Sequence, residues 1–207
     1  MRRLLAILLC LGQPLGAEEA GDFDYWVLSL SWSPTWCALE GAARGAEQCE
    51  RELGWSLHGL WPQYERGYPE YCETGARDPS RAETAAMADI MGSGGLAWHQ
   101  WKKHGRCSGL APEDYFAASR RAYGAVARPE VLRRVEDPIR LPARVVEEAF
   151  LEADESLFAE AITVTCRAGR IQEARICLTR EDLTPRRCGP DVIRDCALED
   201  ALLAPMR

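Results

Sequence analysis

The 207-residue chain holds three histidines, in two short segments crowded with tryptophan and glycine. His58 lies in Gly54-Trp55-Ser56-Leu57-His58-Gly59-Leu60-Trp61-Pro62-Gln63. His99 and His104 lie in Ala97-Trp98-His99-Gln100-Trp101-Lys102-Lys103-His104-Gly105-Arg106-Cys107. Imidazole ordinarily titrates near neutrality, so the first chemistry to consider is proton transfer. On a helix, positions three and four apart share a face, which groups Gln100, Lys103 and His104 and sets His99 beside Lys103. A rigid helix presenting an amide, an ammonium and an imidazole suits an anionic ligand. Lys103 supplies a point charge and His104 can exchange a proton.

Metal binding is the first rival. A zinc protease helix needs two histidines four apart with a glutamate between them. His99 and His104 are five apart, which is about 140° around a helix, and no carboxylate lies between them. Nucleophilic catalysis has less support, because no Gly-x-Ser-x-Gly occurs and the cysteines read as bridged. Two histidines and a lysine converging on an anion fit RNA transphosphorylation better. A base takes the 2′-hydroxyl proton, an acid protonates the 5′-oxygen, and a cation stabilises the charge that builds on phosphorus. The nucleophile is part of the substrate, so no metal or other cofactor is expected.

The elements that must position these groups follow from pattern. Asp24 to Ser33, rich in aromatic and branched residues, reads as a core strand ended by Pro34. The Cys37 to Cys49 segment reads as a stapled loop. Leu53 to Leu60 reads as a second strand that Pro62 ends. Alternation there puts Ser56, His58 and Leu60 on one face and Trp55 and Leu57 on the other. Gln63 to Arg77 reads as an ordered loop. Ser80 to Met91 reads as a helix entered through Asp78-Pro79-Ser80 and closed by Gly92-Ser93-Gly94-Gly95. A second helix carries Trp98 to His104, with Trp98 and Trp101 turned to the core. Glu113 to about Glu136 and Ala143 to Ala153 are two further helices, separated near Pro138 and Pro142. Ile162 to Cys166 and Ile171 to Leu178 pair as a hairpin around Ala168-Gly169-Arg170. Strand-rich ends flanking a helical middle predict the α+β class: an antiparallel β-sheet core flanked by helices and stapled by disulfides.

Composition bounds the setting. Met1-Arg2-Arg3, an apolar run from Leu4 to Leu11 and the small-residue exit before Glu18 describe a secretory signal peptide over residues 1–17. The apolar run is far shorter than the ~20 residues of a membrane span. Residues 18–207 then form one catalytic domain with room for a substantial core. Outside Cys10 the chain has eight cysteines and no Cys-x-x-Cys pair, which in an exported protein reads as up to four disulfides. The net charge is −7, and −9 without Arg2 and Arg3. An acidic chain does not hold a polyanion over its whole surface and must attract one locally, at a cleft.

With these residues in view, a resemblance emerges. Ser56-Leu57-His58-Gly59-Leu60-Trp61-Pro62 resembles the first active-site segment of the ribonuclease T2 family. His99 to Cys107 is similar to the second, whose usual pattern is His-Glu-Trp-x-Lys-His-Gly-Thr-Cys. Both occur in the expected order, and the likeness extends to Trp32-Ser33-Pro34-Thr35-Trp36-Cys37 and, weakly, to Ile171 to Leu178. The resemblance implies His58 as general acid, His104 as general base and Lys103 as the cation stabilising the pentacovalent phosphate. It implies a phosphate-positioning role for His99, base stacking by Trp61 and a base contact by Gln63. It further implies the disulfides Cys37–Cys49, Cys72–Cys107, Cys166–Cys196 and Cys177–Cys188; eight cysteines allow too many pairings to choose among from sequence alone. Each bridge contributes ~2–4 kcal/mol.

Two departures stand out. Gln100 replaces the usual glutamate and cannot carry charge, so the imidazoles are expected to lose an anionic partner that would raise their pKa. The acid limb of the pH profile is then expected to move lower. Arg106 replaces threonine and is expected to add local positive charge. The resulting expectation is an exported, metal-independent, cyclising endoribonuclease of low base specificity. It would act on single-stranded RNA through a 2′,3′-cyclic phosphate, as a monomer in the periplasm or outside the cell, with no membrane and no obligate protein partner. The alternative is a catalytically weakened relative acting as a secreted binding or signalling protein.

Overall fold

The computed structural model describes residues 19–206; the expected signal peptide lies outside them. Strand β1 (Tyr25–Trp32) leads into a helical turn, α1 (Ser33–Trp36), and is followed by β2 (Trp55–Gln63). The middle of the chain is helical: α2 (Arg81–Ala86), α3 (Ala88–Met91), α4 (Gly94–Lys103), α5 (Pro112–Ala125) and α6 (Glu130–Arg133). Strand β3 (Ile139–Leu141) and helix α7 (Ala143–Ala153) precede the hairpin β4 (Ile162–Arg167) and β5 (Arg170–Thr179), and β6 (Ala201–Leu203) closes the chain. The fold is α+β, as expected.

The sheet runs β2-β1-β5-β6-β3, with β4 also paired to β5. All its pairings are antiparallel except the single parallel register contact of β5 with β6, Arg170 to Leu202. One face is apolar. Leu28, Leu30, Leu57, Leu60, Ala174 and Ile176 lie there under Met91, Trp101, Tyr115 and Phe150 of the helical layer, in one continuous buried cluster. The other face carries Ser29, Ser31, Ser56, Glu173 and Arg175, and it is the side that faces the histidines.

Several local expectations are corrected. Pro62 does not end β2 but lies within it, opposite Trp26. A sheet tolerates proline on its outermost strand, where a missing N–H breaks no ladder bond, and β2 is outermost. That edge is covered: the hydroxyls of Tyr115 and Tyr123 on α5 donate to the Leu60 and Trp55 carbonyls, both at 2.9 Å. Leu60 does not share the His58 face. The ladder pairs Ser29 with Gly59 and Leu30 with Leu57, skipping His58, and this bulge returns Leu57 and Leu60 to the same core face.

Two of the helices are shorter than their patterns suggested, and α4 begins earlier than expected. The helix expected to end at Met91 is broken at Met87. Gly94 and Gly95 open α4, with Ser93 as the N-cap accepting from Leu96 N–H, rather than closing the preceding helix. The helix expected to reach Glu136 stops at Ala125, where Val126 turns to extended backbone, and a short helix restarts after Pro129. The Cys37–Cys49 loop is a run of π and 3₁₀ turns. Trp98 is 40% exposed, with the Lys102 ammonium 5.9 Å from its ring centroid; only Trp101 enters the core. The four disulfides are Cys37–Cys49, Cys72–Cys107, Cys166–Cys196 and Cys177–Cys188, the pairs the resemblance implied.

Candidate active site

The bulge in β2 sets the direction of His58. As the extra residue in its strand, it leaves the ladder and projects on the polar face. There its Nδ1 lies 2.6 Å from Oε1 of Glu173, which sits two strands away on β5. The strand between them, β1, contributes Ser31, which pairs with both Ser56 and Glu173 and is small enough to let the two longer side chains meet above it. Glu173 is buried, and Oε2 accepts from Nε and Nη2 of Arg175 at 3.0 and 2.7 Å. Burial by itself would raise the Glu173 carboxyl. The His58 hydrogen bond and charge and the Arg175 guanidinium outweigh it and hold the group well below the usual carboxylate range.

Helix α4 packs beside β2 and carries the second group of residues. Gly59 permits the close approach: a Cβ there would collide with the Gln100 carboxamide and the Trp61 indole nitrogen. Gln100 is buried, and its Oε1 accepts a 2.7 Å hydrogen bond from Trp61 Nε1. His104 ends the helix with its N–H bonded to the Gln100 carbonyl. Gly105 follows because a side chain there would meet Trp101 at 2.6 Å and Tyr115 at 3.0 Å. The Cys72–Cys107 bridge and the bond from Tyr71 N–H to the Lys103 carbonyl, 2.8 Å, pin the preceding loop to this end of α4.

The two catalytic candidates sit in opposite environments. His104 is buried, its Nδ1 has no hydrogen-bond partner, and its pKa is pushed down to about 3. Burial is the main cause, with the charges of Lys103, His58 and His99 adding to it. His104 is therefore a neutral imidazole at neutral pH, able to accept a proton. His58 is partly exposed and has an ionised carboxylate on Nδ1, a counter-charge for an imidazolium that donates. Trp61 lies between the two, stacked on His104 at 5.1 Å and edge-on to His58 at 5.3 Å.

These groups line a cleft of about 750 Å³, within the range of ligand sites. Lys103 Nζ lies 3.3 Å from Glu70 and 5.8 Å from the Tyr68 ring. His99 is exposed on the same rim, and Gln63, buried, donates to the Gly67 carbonyl at 2.8 Å while lining the floor. Every expected site residue thus lines this one cleft: His58, Trp61, Gln63, His99, Gln100, Lys103 and His104. Arg175 and Arg194 add positive charge, so cations gather in a cleft of an otherwise acidic chain. Arg106 does not join them. It pairs with Asp78 at 2.7 Å, and Asp78 also accepts from Trp101 Nε1, so the extra charge is spent on anchoring α4. Among the described residues, no group of three or more His, Cys, Asp or Glu could hold a metal ion.

The reading of the sequence missed Tyr68 and Arg175 in this cleft, and Glu173, which lies behind His58 and lines a neighbouring one. Tyr68 is 47% exposed on the loop and turned toward His104, with ring centroids 6.4 Å apart. Glu173 and Arg175 alternate with the apolar Ala174 and Ile176, a pattern that by itself describes a solvated strand face. The anionic partner that Gln100 cannot supply to the imidazoles comes to His58 from Glu173 instead, which corrects the expectation of loss at that histidine.

A family model described as the Ribonuclease T2 family matches residues 23–188. A "Ribonuclease" of Aeromonas hydrophila is 43% identical over 123 residues, covering 59% of this chain and 51% of that protein. A "Probable ribonuclease" of Haemophilus influenzae is 29% identical over 129 residues, covering 56% of this chain and 47% of that protein. The chain thus spans about half the length of these two relatives. "Ribonuclease I" of Escherichia coli is 26% identical over 196 residues, covering 74% of this chain and 73% of that protein. An RNase-related protein from Calystegia sepium superposes with a TM-score of 0.68 at 20% identity, over 89% of this chain and 98% of that one. RNase NT in complex with 5′-AMP superposes at 0.62 and 18% identity, over 90% and 100%. At those identities the solved structures speak for the fold alone.

Proposed function

The chain belongs to the ribonuclease T2 family, and on that premise we propose that it is an exported endoribonuclease that cleaves single-stranded RNA through a 2′,3′-cyclic phosphate. The observation that carries the reading is the contrast between the two imidazoles: His104 is buried and neutral, and His58 is paired through Nδ1 with the Glu173 carboxylate. One is suited to take a proton and the other to give one.

In the first step His104 accepts the proton of the ribose 2′-hydroxyl as that oxygen attacks phosphorus. The bond from phosphorus to the 5′-oxygen breaks, and His58 delivers its proton to the departing oxygen. The products are a 2′,3′-cyclic phosphate and a free 5′-hydroxyl. Lys103, at the end of α4, faces the charge that builds on the phosphoryl oxygens, and His99 positions the phosphate from the rim. Holding one phosphodiester between fixed groups converts binding into orientation. Trp61 is stacked on His104, edge-on to His58 and covered by the Arg175 guanidinium at 5.4 Å, so it serves as the wall that spaces the two imidazoles. Exposed Tyr68 is better placed to stack on a base. Gln63 braces the same loop and offers an amide to the base edge. A site that grips phosphate and stacks on aromatic faces suits many sequences, in keeping with low base specificity.

Four disulfides suit an oxidising compartment, and residues 1–17 have the pattern of an export signal. Periplasm or extracellular medium is the proposed location, and a monomer the proposed working form. Among the described residues no helix is long and apolar enough to cross a membrane. The binding-protein alternative rested on Gln100. That residue is an acceptor for Trp61 rather than a proton carrier, so nothing in the site favours it.

The test is turnover of RNA by purified protein in excess EDTA. Activity is expected to persist, with cyclic phosphate on the product ends, and to fall by at least about 10³-fold in both His58→Ala and His104→Ala. Full rate in either variant, or abolition by EDTA, overturns the reading.

A further inference from the structure

Glu173 is a carboxylate 2% exposed in the middle of the sheet, with both oxygens engaged. Oε1 accepts from His58 Nδ1 at 2.6 Å and from Ser31 Oγ at 3.4 Å; Oε2 accepts two bonds from Arg175. Removing a carboxylate from water costs several kcal/mol unless partners compensate, and it is kept ionised here by four donors from three strands. Resting on the ribonuclease reading, we infer that Glu173 is a positioning residue for the cleavage step. It holds the His58 proton on Nδ1, leaves Nε2 as the nitrogen available to the cleft, and supplies the counter-charge for the imidazolium that protonates the 5′-oxygen.

The geometry carries this inference in two ways. His58 is the extra residue of a bulge, so its backbone does not fix its ring; the contact to β5 does. His58 also lines two clefts, the 750 Å³ site and a neighbouring one of about 260 Å³ that includes Glu40, Arg167 and Glu173. An unheld ring could turn toward either. The charged and titratable groups around it are Glu173 and Arg175 from β5, His99, Lys103 and His104 from α4, Asp191 and Arg194 across the main cleft, and Glu40 and Arg167 in the second. The ring of His58 donates from Nδ1 to the Glu173 carboxylate, and this bond sets its tautomer.

The experiment compares two substrates that differ in their need for an acid: a dinucleoside phosphate, whose leaving alkoxide must be protonated, and a uridine 3′-(4-nitrophenyl phosphate), whose phenolate leaves without a proton. Glu173→Gln is expected to lower kcat on the dinucleotide by roughly 10²–10⁴-fold, comparable to loss of the tautomer-fixing carboxylate in a catalytic triad, with KM within about twofold. On the nitrophenyl ester the same variant is expected to stay within about tenfold of wild type, and Glu173→Asp to recover part of the dinucleotide rate. Equal loss on both substrates, or no loss on either, overturns the inference. Nitrogen-15 spectra of the wild-type histidines give a readout that needs no variant to fold: His58 is expected to carry its proton on Nδ1, and a neutral ring protonated only on Nε2 overturns the assignment. A wild-type chain that cleaves neither substrate overturns the ribonuclease reading and this inference with it. Wild type cleaving both, with Glu173→Gln matching it, overturns the inference alone.

Discussion

The Trp61 indole nitrogen donates a 2.7 Å hydrogen bond to the carboxamide oxygen of Gln100, joining the outermost strand of the sheet to the helix that carries His104. Through this bond the least typical residue of the site orients the ring against which His104 stacks. Gln100 therefore acts on the geometry and the field of the base without exchanging a proton.

Gln100→Glu keeps that acceptor and adds a negative charge on the His104 side of α4. A nearby anion favours the imidazolium, so the His104 pKa is expected to rise from its depressed value of about 3. The base must be neutral to act, so the acid limb of kcat/KM should move to higher pH, by about one unit. The pH profiles of the two proteins check this; superimposable acid limbs would count against it.

Lys103 is not idle in the free protein, because Glu70 holds its ammonium at 3.3 Å on a half-exposed rim. An RNA phosphate must displace that carboxylate. Glu70→Gln is expected to lower KM about two- to fourfold with kcat nearly unchanged, in line with the ~0.2–1 kcal/mol of an exposed pair. The gain should fade at high salt. Steady-state kinetics at two ionic strengths decide it.

Gly59 sits where β2 and α4 touch, and an added methyl group would strike Gln100 and Trp61 together. Gly59→Ala is expected to cost ~1–3 kcal/mol in urea unfolding and to lower activity by misplacing Trp61. Shortening the opposing side chain should relieve the clash, so Gly59→Ala with Gln100→Ala should be less destabilised than the sum of the two single variants. Strict additivity would refute the contact.

On α7, burial and the nearby charges of Asp195 and Glu148 push Glu147 up to about 7. Its folded pKa lies above the unfolded value, so the folded state binds the extra proton and stability falls as pH rises from about 4.5 to 7. Glu147→Gln removes that loss. The variant is expected to match wild type near pH 4 and to exceed it by about 1 kcal/mol above pH 7, allowing for solvent screening. Denaturant midpoints across this range test the sign. A variant no more stable than wild type at pH 8 would contradict it.

Much of the molecule is legible in the chain. The aromatic run of β1, the β4–β5 hairpin and the Ala143–Ala153 helix carry strong local patterns, and structure and expectation agree there to within a residue or two. Expectation failed where a local signal met a tertiary one. Pro62 breaks a ladder only if there is a strand beyond it. Alternation along β2 fails at a bulge that only the register against β1 creates. Strands β3 and β6, three residues each, have no pattern of their own and exist through each other.

The same division holds for the site. Residue types and helical spacing grouped Gln100, Lys103 and His104 with His99 beside them and turned the reading from metal chemistry toward proton transfer, and the family resemblance added His58. The resemblance gave the two histidines different roles, but the physical cause of the difference came only from the tertiary structure. Burial keeps His104 neutral, and a bulged ring reaching over Ser31 gives His58 a carboxylate 115 residues further along the chain. Proton affinity depends on solvation and on charges within a few ångströms, and no local stretch of sequence determines which distant residues will supply them.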